Sequence, residues 1–592
     1  GSYGTNGFYL PFDDSSAIGD DESGNTNDWT ANNLAASDVV LDSPTNNWAT
    51  NNGAMRANIT QSEGNLKMVG VGGNFDNMAS TFTFDVEDAD GWYWEYRSIG
   101  NDNSTTVGIS TPQNSQFNQS DPTSAFSNTT ACVGYQGSGV KQIAGSNSSY
   151  GDSWTAGDII SVAVKAGAVY FYKNGTIQNS GTAAATGLTG DYVAAFAING
   201  TQSGTANYGQ DSTFAGLETA GGNSDANGYG DFAYSVPSGY KALCSANLPE
   251  ATISPNAEAQ ADDYFNTVLY TGNGSTQSIT GVGHQPDFVW IKDRTTTGLG
   301  NVLFDSVRGA GKYLFSSATD AEGSGSGILD SFDADGFTLG SNGHVNASSD
   351  AYVAWNWKAG GTAVSNTDGS ITSQVSANQD SGFSIVSYTG NLTSGATVGH
   401  GLSEKPEIIF VKNRDSAQNW NVWNKDLTSE TVLYLNLTAG QNNSPASFGT
   451  HTNQVFGVDN GVESNGNGNA MIAYCFHSVE GFSKVGKYVG NGSTDGTFVY
   501  TGFRPAWVMI KSSNLTYGWV IVDTVRNTYN VVNSNLFPHA SSAEDSSTGY
   551  FNIDAVSNGF KVRTSNAVSN QSGGSYIYLC FAEQPLKFAN AR

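Results

Sequence analysis

The sequence predicts an all-β, multi-domain chain, on three observations. Aromatic residues make up 12% of an otherwise polar chain, Gly, Asn, Ser and Thr abound, and one apolar pattern recurs three times in the second half. Aromatic and β-branched residues punctuated by Gly and Asn give short strands and many turns. A disordered chain would lack the aromatics, and a helical one would be rich in Ala, Glu, Lys and Leu. With 592 residues the chain is too long for one hydrophobic core and suits about four units.

Residues 1–248 form the first predicted unit. Its strand candidates are TFTFDVED (81–88), GWYWEYRSI (91–99), DIISVAVKAG (158–167) and AVYFYKNG (168–175). Trp92, Trp94 and Tyr96 are separated by single residues, so they share one face of their strand. Two polar stretches without apolar periodicity, 249–263 and 359–380, read as linkers. They leave three further units, 264–358, 381–480 and 481–592, which we read as related small β-sandwiches of about 100 residues each.

Each of these units opens at a Tyr-x-Gly-Asn, at Tyr270, Tyr388 or Tyr488. Next comes a Pro (Pro286, Pro406, Pro505), one intervening residue and an apolar strand ending at Lys292, Lys412 or Lys511. A Pro just ahead of a strand withholds no ladder hydrogen bond. Asp335-Gly336, Asn460-Gly461 and Asn558-Gly559 then read as type I′ hairpin turns, which need positive φ at both central residues. The closing strands, AYVAWNWKA, MIAYCFHS and SYIYLCFAE, are apolar on both faces and belong inside a sandwich.

Composition narrows the function. Net charge is −28, from 53 acidic and 25 basic residues, so nucleic acid and acidic lipid surfaces are unsuitable partners. No stretch approaches the roughly 20 apolar residues of a membrane span. Cys475 and Cys580 fall at matching points of separate units, where Asn356 stands in the first. They should lie apart as buried thiols, with Cys132 and Cys244 alike. No CxxC pair suggests zinc. No signal peptide is visible and no initiator Met is present, so the chain reads as a fragment, a processed product, or a recombinant chain opening on a cloning scar.

The stretch Gly157 to Asn179, GDIISVAVKAGAVYFYKNGTIQN, with WYWEYRSI and VGIS (107–110) upstream and NYGQ (207–210) and FAYSVPSGYKAL (232–243) downstream, resembles the SPRY (B30.2-like) domain. That resemblance implies a concanavalin-like sandwich of bent antiparallel sheets. The opening GTNGFYLPFDDSS, with SGNTNDWT (23–30), DSPTNNWAT (42–50) and the YTGN…HGL…KPEIIFVKNR pattern, is similar to phage tail and fibre proteins that join such a domain to C-terminal repeats. It implies a virion location, tail or fibre, facing outward.

Candidate sites are sparse. Asp333 and Asp335 are the nearest carboxylate pair, but Asp335 reads as a turn residue rather than half of a glycosidase pair. The histidines, at 284, 344, 400, 451, 477 and 539, form no HExxH or HxH, and neither a GxSxG elbow nor a P-loop occurs. No cofactor is expected. The acidic opening loop is the one place with calcium-type ligands, for which Asp20, Glu22 and Asp28 are the candidates; a solvated loop is the plainer reading. Trp420, Trp423 and Tyr517 lie in or near polar segments and are candidates for stacking on sugar rings, with core packing as the rival. Sequons such as those at Asn118 and Asn128 are expected by chance in this composition.

With the resemblance, which alone implies the viral part, these readings point to a non-enzymatic phage structural protein, a tail fibre or fibre-like adhesin that contacts host surface glycan or protein. Its expected partners are other virion proteins and further copies of itself, the resemblance implying a trimer. The rivals are a capsid-decorating or architectural fibre, a polysaccharide depolymerase and a bacterial surface adhesin.

Overall fold

The computed structural model describes residues 3–43, 45–55, 58–72, 75–100, 103–119, 124–129, 132–249, 251–254, 257–428, 431–443 and 447–584. It is built almost wholly of antiparallel strands and divides into two compact units, near residue 249.

The first unit is a sandwich of an 8-stranded and a 6-stranded sheet. Strand Gly91–Ser98 lies centrally, with Ile159–Lys165 on one side and Ser203–Asn207 on the other. Alternation sends Trp92, Trp94 and Tyr96 into the core beside Phe84, Trp154 and Phe196. The opposite face is covered too, because Tyr93 packs with Trp48, Phe232 and Tyr240.

Glu95 on that covered face is fully buried. Its carboxylate accepts from the Tyr93 hydroxyl, the Asn207 amide and the N–H groups of Ala233 and Tyr234. It thereby fastens the 231–234 segment onto the sheet. Burial outweighs these bonds and pushes its pKa up to about 7 from an ordinary 4.5. The folded state therefore holds a proton that the unfolded state releases, so this contribution is fully present below pH 4.5 and is lost as pH rises through 7. The loss is about 3 kcal/mol. Urea unfolding followed by Trp fluorescence at pH 5 and pH 7.5 should show it in the parent chain and not in a Glu95→Gln variant; equal pH dependence in both would contradict it.

In the second unit one strand arrangement recurs three times. A closing strand (Ala351–Trp357, Ala470–Phe476 or Ser575–Gln584) lies between an opening strand (Phe265–Thr271, Phe383–Thr389 or Ser483–Val489) and the proline-marked strand (Phe288–Asp293, Ile408–Asn413 or Arg504–Ser512). Pro286 and Pro406 precede their strands as expected, whereas Pro505 lies inside the third, where the register shifts around it. A smaller sheet packs over each. The Tyr-x-Gly-Asn motif is a latch. The hydroxyls of Tyr270, Tyr388 and Tyr488 donate to main-chain carbonyls of Val345, Ser464 and Ser569. The N–H groups of Asn273, Asn391 and Asn491 donate to the side chains of the buried Asn346, Asn465 and Asn570. Each latch holds a one-turn helix against its sheet.

The three segments do not stand apart as separate sandwiches. The closing strands are apolar on both faces because they serve two cores. Tyr352 and Ala354, like Met471 and Ala473, face the small sheets, whereas Trp355, Trp357, Tyr474, Phe476, Leu579 and Phe581 face a core common to all three segments. Phe288 meets Phe383, Phe476 meets Phe581, and Phe581 stacks on Phe265. The void left among them is about 10 Å³ with apolar walls, so the arrangement is solid.

Polar contacts repeat around the same ring. The side-chain N–H groups of Trp420, Trp519 and Asn301 donate to the carbonyls of Phe315, Tyr434 and Phe537, at 2.9, 2.8 and 2.9 Å. The N–H groups of Glu322, Gln441 and Glu544 donate to the carbonyls of Arg414, Ser513 and Arg294. Segment one thus grips segment two, two grips three, and three grips one. Glu322 also pairs with Arg414 and Glu544 with Arg294, while Gln441 and Ser513 make the corresponding contact without charge.

Three sequence expectations change. Residues 359–380 are not a linker: Val364–Asn366 is the edge strand of the second segment's sheet and Ser373–Asn378 the strand beside it, paired on both sides through the backbone. Residues 249–263 are not a free linker either, since Ile253 is fully buried in the common core and Ala261–Asp263 forms a 3-10 turn. Asn460-Gly461 is no hairpin turn, because Gly461, at φ −80°, is the N-cap of helix Val462–Asn465. The other two sites do turn between paired strands, but Asp335 and Asn558 keep negative φ, so the turns are not type I′. All four cysteines are buried and unpaired.

Candidate functional site

The second unit carries a cleft of about 620 Å³ where its third segment meets loops of the other two. Its rim is hydroxylic: Thr297 from the first segment, Thr438 from the second, and Thr516, Ser542 and Ser547 from the third. All five are exposed. Tyr517, His539 and Tyr550 form its walls, with Phe537, Val520 and Val568 beneath. Phe537 meets His539 and Tyr550 edge to face, at 6.0 and 5.5 Å. Gly518 is required here, because a Cβ on it would come within 1.9 Å of the His539 ring.

Of the two bordering carboxylates, Glu544 is neutralised by arginines and Asp545 is held by neutral donors. Glu544 accepts from Arg294 at 2.8 and 3.0 Å and from Arg526 at 3.0 Å. Burial pushes its pKa up, but these partners outweigh burial and hold it below the ordinary carboxylate value. Burial likewise raises Asp545, and the Thr548 hydroxyl with the Ser547 N–H brings it down further than burial lifts it. Lys511, which abuts the cleft, turns its ammonium onto the carbonyls of Thr438 and Ser512. Burial holds the His539 imidazole at about pKa 4, so it is neutral at ordinary pH. The cleft offers aromatic faces, hydroxyls and one carboxylate, Asp545, and no free cation among the described residues.

Of the stacking candidates, Tyr517 lines this cleft. Trp420 does not: it is fully buried, and its indole closes the ring between segments one and two. Its polar neighbours misled because Asn421 and Asn424 are buried as well. Trp423 is half-buried in the second segment, with its ring 4.1 Å from that of His451. Asp335 accepts from the N–H groups of Gly281 and Gly283, and Asp333 from the hydroxyls of Ser331 and Thr338, so both are structural turn residues.

The calcium expectation is also corrected. Asp20, Glu22 and Asp28 are exposed, and among the described residues no group of three or more acidic, His or Cys side chains is placed to hold a metal ion. The opening loop is organised instead around Asp21, which accepts from the N–H groups of Tyr9, Ser23 and Asn27, while Asp28 accepts from the N–H of Asp21.

Sequence reasoning missed His539, Tyr550 and the threonine rim. A signal existed: His539 follows Phe537 by two residues, and the matching positions after Phe315 and Tyr434 hold Ser317 and Asn436. The third segment departs from its siblings where the cleft lies.

Residues 260–585 match the family model described as Domain of unknown function (DUF7483), and residues 91–211 match the SPRY domain model. Among solved structures, the chain is similar to the SPRY domain of human HERC1, with 14% identity, TM-score 0.21, and 26% of this chain and 93% of that one covered. It is similar also to a human SPRY domain (14% identity, TM-score 0.20, 25% and 94% covered) and to the TRIM65 PSpry domain (12% identity, TM-score 0.23, 27% and 89% covered). No curated protein matches the chain.

Proposed function

The chain belongs to the family described as Domain of unknown function (DUF7483), and from that premise we propose that it is a non-catalytic attachment protein, a tail-fibre-type component of a phage particle that contacts a host surface glycan or protein. The observation that carries this reading is the cleft on the closed ring. Aromatic walls and a hydroxyl rim, held on a rigid scaffold, suit binding of a surface ligand. Cleavage of a polysaccharide calls for a carboxylic acid with a raised pKa, whereas Glu544 and Asp545 are both held ionised. In this reading the chain assembles as a homo-oligomer with other virion proteins, and weak single contacts become firm through multivalency.

The test is binding of the fluorescent full chain to a panel of bacterial cells, with released reducing sugar followed in the same tube. Saturable binding without sugar release is the expected result. Sugar release would sink the non-catalytic reading, and absence of saturable binding to every strain would sink attachment.

A further inference from the structure

We propose that the cleft of the third segment is a binding site for an uncharged saccharide and discriminates against acidic sugars; this rests on the attachment reading above. Three observations carry it. The volume, about 620 Å³, falls within the roughly 300–1,000 Å³ of ligand sites and exceeds what one sugar ring fills. The walls are the rings of Tyr517, Tyr550 and His539, and an aromatic face suits the C–H face of a pyranose. The rim hydroxyls of Thr297, Thr438, Thr516, Ser542 and Ser547 both donate and accept, which is what a neutral polyol needs.

Charge supplies the discrimination. A uronate or sialate brings a carboxylate that needs a cation. The nearby cations are committed: Arg294 to Glu544, Arg526 to Asp523 and Glu544, and Lys511 to the carbonyls of Thr438 and Ser512. Asp545 and Glu544 would also repel it. Neutral His539 adds no charge of either sign. A buried ion without a partner is disfavoured far more than a hydroxyl that finds one.

The test is saturation-transfer NMR on the full chain with methyl glucoside, methyl galactoside, methyl mannoside and N-acetylglucosamine, against glucuronate and N-acetylneuraminate. Transfer to at least one neutral probe and to neither acidic one is expected. Tyr517→Ala should weaken the neutral probe about tenfold. Ser542→Trp, which fills the cleft from an exposed position and leaves the core untouched, should abolish the transfer while the chain's urea-unfolding midpoint is unchanged. Transfer to either acidic probe at the level of the neutral probes, transfer that survives Ser542→Trp, or transfer to no neutral probe would each overturn the proposal. If the same preparation still binds cells saturably, the attachment reading stands without this cleft; if sugars bind but cells do not, attachment falls and the saccharide site stands.

Discussion

Replacing Asp305 by Ala should destabilise the second unit by about 3–5 kcal/mol, the usual effect of leaving a buried charge without its partner. Asp305 and Arg308 are an ion pair with both side chains buried. The carboxylate also accepts from the Tyr474 hydroxyl of the second segment at 2.7 Å. The Arg308 guanidinium donates to the Leu303 carbonyl and reaches Tyr474 as well. Removing Asp305 strands the guanidinium and breaks a tie between two segments in one step. Glu322, 3.5 Å from Arg308, offsets part of the loss. Urea unfolding of the variant checks the magnitude, and a change under 1 kcal/mol would show that the pair is not buried as described.

Trp420→Ala should destabilise the same unit by about 3–5 kcal/mol, through the cavity it leaves and the loss of its hydrogen bond to the Phe315 carbonyl. Trp420 stacks on Tyr474 at 6.2 Å and lies in the common core. Affinity for any ligand of the cleft should be unchanged under conditions where the variant is folded. The pair of readouts separates a ring-closing tryptophan from a sugar-stacking one. Reduced ligand affinity at unchanged stability would assign it the second role.

Much of the strand pattern was legible because its chemistry is local. Alternation in Trp92, Trp94 and Tyr96, a proline ahead of the first two matched strands and the Tyr-x-Gly-Asn openings all follow from backbone geometry and short-range hydrogen bonding. The shared core was not legible. Apolarity on both faces of AYVAWNWKA or MIAYCFHS says that a strand is buried, not what buries it, and the partner of Phe288 is a phenylalanine in the next segment. Residues 373–378 escaped because SQVSAN carries little apolar pattern while its pairing on both sides is through the backbone. Asn460-Gly461 looked like a turn because the same dipeptide serves a hairpin or the start of a helix. The cleft was half legible. Tyr517 stood out as an aromatic among polar residues, but Thr297 and Thr438 are brought to it by loops from segments that the sequence presents as separate.

The paired charges of the ring were also invisible to spacing. Glu322 lies far along the chain from Arg414, and Glu544 farther still from Arg294. Only closure of the three segments places them together, and it is the same closure that neutralises the border of the cleft.

The measurement that tests this closure most directly is hydrogen exchange, by mass spectrometry, of the Asp305→Ala chain against its parent. The three matched strands to follow are Phe288–Asp293, Ile408–Asn413 and Arg504–Ser512. Segments that share one core should lose protection together, so the substitution in the first segment should raise exchange in all three strands by a similar factor. Loss confined to Phe288–Asp293 and its own sheet, with Arg504–Ser512 unchanged, would show three independent domains and contradict the closed ring.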